Sequence, residues 1–261
     1  MHGLGNDFVV IDARATPVDM PISRAAAIAN RRTGIGCDQL IMLEPSAVAT
    51  VKMRIFNADG GEVEACGNAT RCVALLMEGA ATIETLAGIL HTTPGDAQAT
   101  VILGQPAFDW ELIPIAMPID TFDMPVSWEG LDHPMAVNVG NPHVIFFVDD
   151  GDAIDLARLG PLIENDPLFP ERINVNVATV TGPNSLSLQV WERGVGLTRA
   201  CGTGACATAV AAIRSRRAAS PVTVSLPGGD LIIEWSDGDA IMMSGPAAHV
   251  FSGQADWDEF S

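Results

Sequence analysis

The tripeptide Ala-Cys-Gly occurs twice in this chain, at residues 65–67 and 200–202, each time leading into a run of small residues. The separation of the copies, 135 positions, recurs elsewhere. It carries Gly5-Asn6 onto Gly140-Asn141, Gln39 onto Asn174, Phe56-Asn57 onto Trp191-Glu192 and Asn68 onto Thr203. So many polar or reactive pairs in one register point to a duplicated unit, and 261 residues accommodate two halves of ordinary domain size.

Each half reads in the same order. A strand follows the Gly-Asn pair (Phe8–Asp12; Val144–Val148), and a second strand (Lys52–Phe56; Leu186–Trp191) precedes a glycine-rich connection. Ala-Cys-Gly then opens a helix, about Asn68–Met77 in the first half and Gly204–Arg217 in the second. Later strands are expected at Val222–Leu226, Leu231–Trp235 and Ile241–Ser244, separated by glycine-containing turns. Pro106, Pro114, Pro118 and Pro125 punctuate the stretch between the halves, so the boundary is expected near residue 114. The expected domains are residues 1–114 with 247–261, carrying Cys66, and residues 115–246, carrying Cys201. The fold class expected is α/β (α+β) with two pseudo-symmetric domains. The last dozen residues offer no pattern to read.

Composition narrows the partners. A net charge of −18 repels nucleic acid and anionic membrane surfaces, which leaves a small molecule as the expected ligand. The start has no basic segment ahead of a sustained apolar run, and no window approaches a membrane span, so the expected location is the cytoplasm. The five cysteines, an odd number, are then expected as free thiols, and their spacing gives no reason to expect a metal.

A helix N-terminus presents unpaired backbone N–H groups and a positive dipole end, where a carboxylate docks and a thiol ionises more readily. Glycines beside it let a ligand oxygen approach the backbone. Cys66 and Cys201, singled out by the repeat, are therefore the reactive candidates. Cys72 and Cys206 lie further along the helices among apolar residues, and they and Cys37 read as packing thiols. Two thiols from related halves, one on each face of a substrate carbon, are what inversion at that carbon demands: a thiolate takes the proton while a thiol delivers another from behind.

The ordered blocks Met-His-Gly-Leu-Gly-Asn-Asp-Phe (1–8), Ile-Gly-Cys-Asp-Gln-Leu (35–40), Ile-Phe-Asn-Ala-Asp-Gly (55–60), Ala-Cys-Gly-Asn-Ala-Thr-Arg-Cys (65–72), Gly-Asn-Pro-His (140–143), Phe-Pro-Glu-Arg-Ile-Asn (169–174), the run from Glu192 to Cys206, and Leu-Pro-Gly-Gly-Asp-Leu-Ile-Ile-Glu-Trp (226–235) resemble the diaminopimelate epimerase family from Met1 to about Gly253. The resemblance implies interconversion of LL- and meso-diaminopimelate without pyridoxal phosphate or metal, for lysine and peptidoglycan precursors. It implies two α/β domains, each a curved sheet or open barrel around a central helix. Cys66 and Cys201 match the acid–base pair, and Gly67-Asn68 with Gly202-Thr203 match the cradle for the reacting carboxylate. Asn6, Gln39, Asn57, Asn141 and Asn174 match polar substrate contacts, Glu192 and Arg193 the pair that reads substrate charge, and His143 and Glu192 positions that tune the cysteines.

A homodimer belongs to the same expectation. The tyrosine that family members often carry before the C-terminal glycine has no counterpart in His-Val-Phe-Ser-Gly, so a dimer contact built on that hydroxyl is missing here. Two other readings compete. A proline or hydroxyproline racemase shares the architecture but has no distal carboxylate for Glu192-Arg193 to serve, and an idle amino-acid-binding protein has no use for both cysteines.

Overall fold

A computed structural model describes residues 1–64 and 66–260, so Ala65 of the first Ala-Cys-Gly lies outside the described residues. The chain divides into two compact units, Met1–Val101 with Gly245–Ser261, and Ile102–Ser244. The division thus falls ahead of residue 114. Residues 102–114 belong to the second unit because Leu103 N–H donates to the Ile241 carbonyl (2.8 Å) and Ala107 bridges Asn138, contacts that proline spacing does not encode.

In the first unit β1 (His2–Gly3), β2 (Asn6–Asp12), β3 (Gln39–Glu44), β4 (Val51–Asn57), β6 (Ala81–Thr85), β7 (Gly88–Pro94) and β8 (Gln98–Ile102) lie side by side in that order, with β5 (Glu62–Val63) folded back on β4. β2 and β3 are parallel and need a crossover, which α1 (Ile22–Ala29) supplies. Successive β3 side chains point to opposite faces. Ile41 and Leu43 pack with Phe8, Val51, Ile55 and Val73 on the side of α2 (Gly67–Ala74), whereas Leu40 and Met42 pack with Ala25, Ile28 and Phe56 under α1. Cover on both faces explains why Leu-Ile-Met-Leu shows no polar alternation. The C-terminal residues also take part. A 3-10 turn, Trp257–Phe260, packs on the α1 cluster, with the Arg24 guanidinium 5.0 Å from the Trp257 ring and Arg24 Nε donating to the Phe260 carbonyl (3.2 Å).

The second unit has a small hairpin, β9 (Ser127–Trp128) and β10 (Leu131–Asp132). Its main sheet orders β11 (Met135–Asn138), β12 (Pro142–Phe147), β13 (Asn174–Gly182), β14 (Ser185–Glu192), β16 (Val222–Leu226), β17 (Gly229–Glu234) and β18 (Met242–Pro246), with β15 (Gly196–Thr198) on β14. α3 (Leu156–Glu164) makes the crossover between parallel β12 and β13. α4 (Gly202–Arg214) packs against β11 to β14, β16 and β17, and Gly204 through Ala212 are all buried. Its small residues on every side let strands approach all round.

The duplication is visible in hydrogen-bond register. Phe8 pairs with Gln39 and His143 with Asn174, Leu40 with Phe56 and Val175 with Trp191, Phe56 with Glu62 and Trp191 with Leu197. Every pair is shifted by 135, and the helices start at Gly67 and Gly202 by the same shift. Beyond the helices the shift changes, Ile83–Leu90 answering to Val224–Leu231. The longer α4 takes up the added residues. α2 stops at Ala74, short of Met77, because its last turn tightens: Leu76 and Met77 donate to carbonyls three residues back.

Candidate active site

In the first unit Cys66 is the extended N-cap residue of α2 (φ −147°, ψ 112°). Its carbonyl accepts both the Thr70 hydroxyl (2.8 Å) and the Thr70 N–H (2.9 Å), which fixes the cap. The half-buried Sγ donates to Asn6 Oδ1 at 3.8 Å, and Asn68 Nδ2 reaches the same oxygen at 3.2 Å. Asn68 Oδ1 in turn accepts from the fully buried Arg71 (2.7 Å), and Asn6 Nδ2 donates to Asp38 (3.0 Å). Arg31 bridges Asp38 and Asp7 and holds the Asp7 carboxyl below the usual range against the opposing effect of burial. Thus Cys66, Asn6 and Asn68 form one hydrogen-bonded group. Gln39 and Asn57 form another across β3 and β4, Gln39 Nε2 donating to Asn57 Oδ1 at 2.9 Å. Gln39 Oε1 is buried with no partner among the described residues.

In the second unit Cys201 is the N-cap residue of α4, and here the side chain itself caps, its Sγ accepting from Gly204 N–H at 3.4 Å and lying 3.6 Å from the Thr203 hydroxyl. Glu192 lies near enough to this thiol to act on its charge. Burial first, then the neighbouring Glu192 charge, push the Cys201 thiol well above its ordinary pKa, so Cys201 rests protonated. Burial likewise pushes the Glu192 carboxyl up. A Cβ on Gly204 would stand 2.8 Å from Asn176 Oδ1 and 3.3 Å from the sulfur, which is why glycine occupies the first turn.

Glu192 and Arg193 sit at the corner of the β14–β15 hairpin, turned by Gly194 (φ 76°), and Asn57 occupies the matching corner of β4–β5. Asn174 Oδ1 accepts from the Arg193 N–H (3.0 Å), while Asn174 Nδ2 donates to the Pro142 carbonyl (2.8 Å). The corner is braced by a residue that the sequence did not reveal. Glu164, buried at the end of α3, accepts from Trp191 Nε1 (2.7 Å), Gly194 N–H (2.8 Å) and Arg172 (3.2 Å). Its only signal was an acid closing a helix whose one other charged residue is Arg158.

His143 does not touch a thiol. Its Nε2 faces Asn141 Oδ1 (3.0 Å) and its Nδ1 faces Asn176 (3.1 Å), so any influence on Cys201 is indirect, whereas Glu192 acts on it directly. Complete burial, with the Arg193 charge as a lesser cause, pulls the His143 pKa down to about 3. The unfolded chain then binds a proton below pH 6.5 that the folded chain refuses. His143 should therefore withdraw up to about 1.4 kcal/mol of stability per pH unit between those two values as pH falls. Urea titrations at successive pH values should show a shallower acid loss in His143→Gln; identical slopes would contradict a buried neutral ring.

The other cysteines behave as packing groups. Cys72 is buried and pushed up to about 12, and Cys37 and Cys206 are buried too; all five cysteines are thiols outside any disulfide. Among the described residues no cluster of three or more His, Cys, Asp or Glu side chains could hold a metal, and no helix is long and apolar enough to cross a membrane.

Solved structures share this architecture. A probable proline racemase from Agrobacterium radiobacter K84 superposes with a TM-score of 0.65 at 15% identity, covering 94% of this chain and 88% of that one. A hydroxyproline epimerase from Agrobacterium vitis gives 0.64 at 16%, covering 94% and 86%. The fold is thus one seen in amino-acid racemases and epimerases. The family model for diaminopimelate epimerase matches residues 1–108 and 135–250, and the diaminopimelate epimerase of Sphingopyxis alaskensis is 69% identical over 260 residues, covering 100% of this chain and 97% of that protein. The chain belongs to the diaminopimelate epimerase family, and it is an isomerase.

Proposed function

We propose that this chain interconverts LL- and meso-2,6-diaminopimelate by a two-base exchange at one α-carbon, with Cys66 and Cys201 as the acid–base pair. The observation that carries the reading is that each sulfur belongs to the cap residue of a helix reached through an identical strand register. In one direction Cys66, once its thiol proton has left, removes the α-proton as thiolate and the protonated Cys201 supplies one to the opposite face. In reverse, Cys201 must first lose its proton, and Glu192, itself drawn toward the protonated form, is the adjacent group able to share it.

The substrate carboxylate at the reacting centre is taken by the backbone N–H groups of Gly67-Asn68 and Gly202-Thr203, where helix ends favour an anion. Arg193 offers its planar fork to a carboxylate and Glu192 accepts from an ammonium, which together suit a zwitterion. No pyridoxal phosphate or metal enters this scheme. The enzyme would act in the cytoplasm, where free thiols persist, and as a homodimer, which light scattering on the purified chain would test.

Incubation in deuterated water decides the substrate. LL-diaminopimelate should lose its α-proton signal while L-proline keeps its own. Exchange on proline alone would transfer the assignment to the racemases, and exchange on neither would leave an idle binding protein.

A further inference from the structure

Asn176 has no counterpart in the repeat, since the residue 135 positions earlier is Ile41. It lies two residues after Asn174 on β13, hence on the same face, and it is fully buried. Its Nδ2 donates to the Val144 carbonyl (3.0 Å) and also faces His143 Nδ1 (3.1 Å), while its Oδ1 has no partner among the described residues and lies against Gly204. The orientation of this amide is not arbitrary. Turned over, it would set oxygen against the Val144 oxygen, so the nitrogen must occupy the position facing both acceptors.

The consequence propagates through the ring. With a donor opposite, His143 Nδ1 must be bare, and the proton of the neutral imidazole must sit on Nε2. Nε2–H then donates to Asn141 Oδ1 at 3.0 Å, which fixes the Asn141 carboxamide with its Nδ2 turned away from the ring. Asn141 is half-buried, and its Nδ2 makes no hydrogen bond among the described residues. The Oδ1 left unpaired on Asn176 costs about 1–3 kcal/mol, a cost consistent with a residue kept for its donors.

We propose that Asn176 is a positioning residue that, through the His143 ring, turns the Asn141 amide so that an N–H donor faces an anionic oxygen of the substrate. A reversed ring would rotate Asn141 and offer an oxygen, which repels a carboxylate. The inference concerns the specificity of the diaminopimelate site and rests on that reading for the identity of the ligand.

Long-range proton–nitrogen spectra of the 15N-histidine-labelled full chain report the ring proton without any substrate, so they stand apart from the activity assignment. The wild-type His143 should carry its proton on Nε2 with Nδ1 bare; a proton on Nδ1 would overturn the relay outright, whatever any variant does. In Asn176→Asp the carboxylate accepts where the amide donated, so the proton should move to Nδ1. The KM for diaminopimelate should then rise about ten- to hundredfold, the loss of one charge-assisted hydrogen bond, with kcat within about threefold. A variant that folds but keeps the proton on Nε2, or that moves it without raising KM, would refute the role given to Asn176.

Discussion

Alanine at Cys201 is expected to lower kcat for diaminopimelate epimerisation by at least about 10²–10⁴-fold, and alanine at Cys66 by a similar factor, since under the proposed scheme each removes one of two proton-transfer groups used in every turnover. Thermal unfolding should change little for Cys66, which is half-buried, and somewhat more for Cys201, which is buried and accepts the Gly204 N–H. Isotope exchange separates this scheme from a single-base mechanism. With one thiol left, a two-base enzyme can at most remove and return hydrogen on one face, so each variant should exchange the α-proton of one stereoisomer without inverting it. A Cys201→Ala enzyme that still inverts the centre would show that one group serves both faces. By contrast, Cys72→Ala should keep its activity, because that sulfur is held protonated within the apolar core.

Valine at Gly160 is expected to cost about 3 kcal/mol of stability, the upper range for overpacking a core. A Cβ there would lie 2.5 Å from two atoms of the Trp191 ring, and the ring is not free to withdraw because Glu164 accepts its Nε1 hydrogen at 2.7 Å. The better helix propensity of valine recovers only a few tenths of a kcal/mol. Since Glu192 and Arg193 follow Trp191 directly, the same push should raise KM for diaminopimelate. Urea denaturation and steady-state kinetics check both effects, and an unaltered urea midpoint would mean that α3 slides away from β14 without penalty.

Much of this arrangement was legible in advance, for a specific physical reason. A strand register and a helix start are rigid spacings, so the duplicated halves keep the 135-residue shift from Asn6 to Asn68 and the corresponding residues fall on equivalent corners and caps. Asn57 and Glu192 illustrate this, differing in chemistry yet sharing one position in the hairpin. Residues that act on one half alone had no such marker. Glu164 and Asn176 fall opposite Ala29 and Ile41, and their importance comes from hydrogen bonds to partners on other elements. The neighbours of His143 were hidden for the same reason, because burial between two asparagines is a tertiary fact. The place of residues 102–114 was likewise decided by backbone bonds to Ile241 and Asn138.

The unequal burial of the five sulfurs has a pharmacological consequence. Cys37, Cys72, Cys201 and Cys206 are shut inside the protein, leaving Cys66 alone among the cysteines with substantial access to solvent. A soft electrophile arriving from bulk solvent would therefore find one readily reached sulfur per chain, and inactivation should track the first adduct.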